Sequence, residues 1–103
     1  MRYLSHAVLH AGKVYRQSLV EIVDGQVDVR RFDREEHSTV FVSGIIAVVA
    51  ENRITDVGVD QLVRIVRNAP LVEVAVLRSM RYLKGRKLFV GEGDTPRLVV
   101  LQR

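Results

Sequence analysis

The chain has 103 residues, 48% hydrophobic and 27% charged, with seven Gly, two Pro and no Cys. That composition supports one packed core and excludes a disordered tail, a collagen-like repeat, a disulfide framework, a thiolate metal site and a cysteine nucleophile. The longest apolar run, Ile45 to Ala50, falls far short of the roughly 20 residues of a membrane span, and no secretory leader opens the chain, so the expectation is no membrane and a cytoplasmic location.

Valine and isoleucine together number 25 against 10 Leu and 6 Ala, a weighting that favours pleated sheet over helix. Tyr3 to Ala11 reads as a first strand, with Leu4, His6, Val8 and His10 on one face and Tyr3, Ser5, Ala7 and Leu9 on the other. Gly12 ends it. The next run alternates Val14, Arg16, Ser18, Val20 and Ile22 against Tyr15, Gln17, Leu19 and Glu21. It stops at Asp24-Gly25, a hairpin signal because both residues tolerate positive φ. Val27 and Val29 start the return strand, and Arg30 to His37 reads as a charged loop. Ser38 to Ala50, the most apolar segment, is expected to be a central strand that bends in a bulge near Ser43-Gly44.

After Thr55 the period changes. Val59, Leu62, Val63 and Val66 form a helical stripe, Asp56 and Asp60 suit the N-terminal dipole, Arg64 and Arg67 suit the other end, and Asn68 with Pro70 stops the helix. Leu71 to Leu77 reads as a strand that continues toward Tyr82. Leu88 to Val90 and Arg97 to Leu101 read as two more. This order predicts a single α+β domain over 1–103, a mainly antiparallel sheet of about six to seven strands with one helix inserted after the fourth strand.

The net charge of +4 is local: six bases meet six acids from Met1 to His37, three meet four from Ser38 to Ala75, and seven meet two from Val76 to Arg103. Its densest part is Arg78, Arg81, Lys84, Arg86 and Lys87, with Tyr82 interleaved. Such a segment neutralises phosphates and offers a ring for base stacking, or it is a turn whose cations are simply solvated.

Catalytic and metal chemistry find little support. His6 and His10 share a strand face but stand about 13 Å apart at their backbones, too far for one zinc ion. Glu35, Glu36 and His37 lack ligand spacing. Ser43 before Gly44 lacks the first glycine and the following helix of a nucleophile elbow, and reads as a bulge residue. Gly91-Glu92-Gly93 follows a strand as a phosphate loop does, but no helix follows it. Paired carboxylates for acid–base work would have to come from loops, for example Asp33 with Glu35. The reading therefore names no catalytic residue, no metal ligand and no cofactor.

Gly85 to Leu101, GRKLFVGEGDTPRLVVL, resembles the closing β-segment of amidohydrolase-superfamily enzymes, and Val20 to Val27, VEIVDGQV, resembles the first strands of their small β-sandwich domain. The two segments cover less than half of the chain. The resemblance implies a sheet fold with Gly25 and Gly91 as turn residues, and no hydrolase activity, because the catalytic barrel with its His-x-His motif has no room between them.

Three functional expectations follow. The first is a non-catalytic domain that self-associates or binds a protein, since strands apolar on both faces, notably Val40 to Val49, need more cover than one helix gives. The second is nucleic-acid or polyanion binding through Arg78, Arg81, Tyr82, Lys84, Arg86 and Lys87. A small enzyme or metal site built from His6, His10 and His37 is the third alternative.

Overall fold

A computed structural model describes residues 1–32 and 38–103. Asp33, Glu35, Glu36 and His37, raised above as acid–base or metal candidates, lie outside them. In chain order the elements are β1 (Arg2–His10), β2 (Lys13–Val23), β3 (Gln26–Arg31), β4 (Thr39–Ala50), α1 (Asp56–Asn68), α2 (Val72–Gly85) and β5 (Pro96–Gln102). The five strands form one sheet in the order β3-β2-β1-β4-β5. Every neighbouring pair is antiparallel except β1 with β4.

Two tight turns shape the first half of the sheet. Asp24 and Gly25 both hold positive φ, 50° and 77°, in the two-residue turn between β2 and β3. Ala11 and Gly12, at 52° and 80°, do the same between β1 and β2. The right-handed strand twist favours this turn type, which is why an alanine is held in a left-handed conformation.

The sheet has a fault line across its middle. Ser5 pairs with Val42 and Ala7 with Ile45, so β4 carries one extra residue at Ser43-Gly44, the expected bulge. A Cβ on Gly44 would fall on the Leu101 carbonyl oxygen, so only glycine lets β5 approach here. On β1, Tyr3 and Val8 belong to the same buried cluster, and on β2 Tyr15 and Val20 do. Strict alternation would put each pair on opposite faces. The faces therefore exchange near His6 and Gln17, and Gln17 takes a φ of 47° to do it. The single alternation expected for β1 and for β2 is wrong for this reason.

The second half departs further from expectation. Leu71 to Tyr82 is not a strand: α2 takes residues Val72–Gly85, so among the described residues there are two helices where one was expected. Leu88 to Val90 makes only an isolated bridge, Val49 to Phe89. Five strands stand where six to seven were expected. Tertiary packing overrides the β preference of Val72, Val74 and Val76. Val72, Ala75, Val76, Ser79, Met80 and Leu83 recur at helical spacing, and all but Val72 are buried.

Both sheet faces are buried within one chain. Leu62, Val66, Ala75, Val76, Met80 and Leu83 of the helices cover Ala7, Leu9, Ile45, Ala47, Val49, Val99 and Leu101. On the other face Val8, Val20, Val42, Ile46 and Val48 are covered by Tyr3, Tyr15, Val27, Val29, Val90 and Leu98, with no helix. Cover assigned above to a partner is thus supplied internally from Ile45 to Ala50, which are all fully buried.

Candidate nucleic-acid interface

Thr55 caps α1 by accepting a hydrogen bond from the Gly58 amide at 3.0 Å. Ala69 is extended before Pro70, as steric clash with the proline ring requires, and the chain turns back into α2. Gly58 in the first turn of α1 lies beside Tyr82 in the last turn of α2, so the helices run antiparallel. The end of α2 is a Schellman motif, in which the Lys87 amide donates to Lys84 O and the Leu88 amide to Leu83 O. Lys87 fills the left-handed position with φ 55°.

Arg78, Arg81, Lys84, Arg86 and Lys87 therefore belong to a helix and its C-terminal cap, not to a turn between strands. The helix separates them. Lys84 lines a groove with Val14, Arg16, Glu73 and Met80. Arg81 sits one turn from exposed Leu77, and Arg78 one turn from Tyr82. Arg86 lies with its guanidinium carbon 4.4 Å from the centre of the Tyr82 ring, a cation–π contact.

The helical layer, 56–87, holds seven bases, Arg64 and Arg67 with the five above, against three acids; the other nine bases and nine acids of the chain cancel. The layer by itself thus has a net charge of +4. Among the described residues none of the seven bases forms an ion pair. Glu73, the one acid of α2, is taken by Arg16 of β2 in a two-pronged bridge at 2.7 and 2.9 Å.

A cleft of about 420 Å³ opens where the two helices meet the 86–88 segment, lined by Ile54, Val57, Gly58, Gln61, Tyr82 and Arg86, among others. Arg53 stands at its base with its hydrogen bonds already committed. Its guanidinium donates to Lys87 O at 2.9 Å, to Phe89 O at 2.8 Å and to the Asp94 carboxylate at 2.9 Å. Asp94 also accepts from the Gly91 amide. Arg53, with the Gly91 amide behind it, holds the Asp94 carboxyl below the ordinary carboxylate range. This knot fixes the 86–95 segment against the end of β4. Nothing in the charge pattern singled out Arg53, Gln61 or Gly58, because their meeting depends on α2 being a helix.

The other candidates lie apart. His6 is exposed and meets Phe41 edge-on, ring centres 5.7 Å apart, beside a hollow lined also by Gln17 and Phe32. His10, at the far end of β1, is partly buried near Tyr15, and burial lowers its pKa. Among the described residues no group of three or more His, Asp or Glu converges as a metal site. Ser43 is exposed in the bulge, and Gly91 to Asp94 forms a turn closed by the Asp94 side chain. No helix among the described residues is long and apolar enough to cross a membrane. Comparison with protein-family models, curated proteins and solved structures finds no match to this chain.

Proposed function

We propose that the protein binds nucleic acid through its helical layer. One observation carries this reading: that layer has a net charge of +4 of its own, with seven bases that among the described residues form no ion pair. Phosphates provide the missing counter-charge, and the counterions they release make such binding favourable at low salt. The bases named from sequence lie on α2 and its cap, facing more than one way, and Arg64 and Arg67 of α1 add to the charge of the same layer.

Fluorescence anisotropy with a labelled single-stranded RNA and a DNA duplex tests it. If about five phosphates of a single strand are neutralised, log affinity falls with log salt at a slope of about −3.5. Arg78→Gln and Arg81→Gln each reduce the slope by roughly 0.7. No binding at low ionic strength, or a slope that neither substitution moves, rejects the reading. Equal affinity for heparin makes the surface a general polyanion binder.

Association of two copies is a second reading, favoured by the open part of β4. Strand β5 first pairs at Gly44, so among the described residues Thr39 to Val42 has β1 on one side and no strand on the other. Val40 and Phe41 are 40% and 60% exposed there, and no charge falls between Ser38 and Ser43 to oppose edge pairing. The outer strand β3, by contrast, carries Asp28, Arg30 and Arg31. Sedimentation across micromolar concentrations decides it: a dimer abolished by Phe41→Lys supports the reading, and a monomer throughout removes it.

A further inference from the structure

We infer that the cleft between the start of α1 and the end of α2 holds one unpaired nucleobase of the bound strand. This rests on the nucleic-acid reading above and adds a specific subsite to it. The cleft has the size of a small-ligand site, about 420 Å³. Three groups on its walls have unspent hydrogen-bonding capacity. Among the described residues the Gln61 amide and the Tyr82 hydroxyl form no hydrogen bond, and Arg86 has no acidic partner. Val57, 69% exposed, supplies apolar surface, with smaller contributions from the mostly buried Ile54 and Leu88.

Gly58 shapes the space. A glycine inside a helix costs about 1 kcal/mol relative to alanine. Here a Cβ would stand 3.1 Å from Ile54 Cδ1 and 3.6 Å from the Tyr82 hydroxyl. The phenol is at ordinary contact distance and Ile54 is the tight neighbour, so the missing Cβ leaves room for the Ile54 side chain at the cleft wall.

The chemistry of the walls selects the occupant. A planar ring with a polar edge suits walls that mix polar groups with apolar Val57, and an amide that both donates and accepts reads such an edge, as glutamine does with bases. The guanidinium stacked on Tyr82 offers either a flat cation for stacking or a charge for the adjoining phosphate. Unpaired bases splay into such sites, whereas those of a duplex are held in the stack, so single strands are the preferred ligand. Arg53 takes no part in recognition, because Asp94 and two carbonyls occupy it; it holds the floor.

The test compares a labelled single strand with one of equal length and charge whose residues are abasic. The wild-type protein binds the base-bearing strand about ten-fold more tightly, the scale of one stacked and hydrogen-bonded base. Gln61→Ala, an exposed position without a partner, lowers that affinity toward the abasic level and leaves the salt slope unchanged; Tyr82→Phe acts in the same direction. Arg78→Gln weakens both strands alike. Equal binding of the two strands, with Gln61→Ala silent, overturns the base subsite while the phosphate surface stands. Failure of both strands to bind overturns both proposals.

Discussion

Replacing Ile46 by Ala probes the helix-free face of the sheet. Ile46 is fully buried, with Val8 opposite it on β1 and Val100 opposite it on β5. The change deletes three carbon atoms, about 2.4 kcal/mol of lost burial at roughly 0.8 kcal/mol for each buried methylene. The cavity left behind adds about 1 kcal/mol at roughly 24 cal/mol per Å³, giving a loss of about 3 to 4 kcal/mol. Urea unfolding followed by circular dichroism measures this, at two protein concentrations about a hundred-fold apart. Because Val20, Val29, Tyr15 and Leu98 cover this face from the same chain, the loss is the same at both concentrations. A penalty below about 1 kcal/mol in the dilute sample, rising in the concentrated one, refutes the claim that the sheet covers itself.

Further outcomes follow from single features. Gly44→Ala forces β4 and β5 apart at Leu101 and costs at least the 1 to 3 kcal/mol typical of overpacking, about as much as a core truncation, read from the same unfolding curves. Lys87→Gly relieves a left-handed lysine at the end of α2 and raises stability by about 0.5 to 1 kcal/mol after the entropy of the unfolded glycine is subtracted, while weakening RNA binding. A pH series reports on His10. Its folded pKa lies below the ordinary value of about 6.5, so between the two values the unfolded chain binds more protons. The stabilising share of the neutral ring is complete above about 6.5 and is lost as pH falls through that value toward the folded one. His10→Gln flattens this part of the profile, and an unchanged profile counts against His10 as its source.

Much of this architecture is legible in residues. Asp56 to Pro70 carries dipole-matched charges, a stripe and a stop that agree, and α1 forms where they place it. Asp24-Gly25 gives the hairpin, and the long apolar segment with Ser43-Gly44 gives the bulged central strand. The segment after Pro70 misleads because Val72, Val74 and Val76 alternate like a strand over five residues. The competing stripe, Val72 to Leu83, emerges only over three turns. The exchange of faces at His6 and Gln17 leaves no mark in the sequence, since no glycine flags the positive φ of Gln17. For the site, the cluster of cations is visible in the chain, whereas its division by a helix and the cleft beside Gln61 are not. Sequence proximity records which charges are neighbours along the backbone, and helix geometry then sends Lys84 and Arg86 in different directions.

The charge of the helical layer also bears on how the proposed complex would form. The layer carries a net +4 of its own, so an approaching anionic strand would feel a pull toward the helices before any atom touches. That pull sets in within about a Debye length, roughly 8 Å at physiological ionic strength. Under the nucleic-acid reading, dissolved electrolyte slows the on-rate as well as weakening the complex.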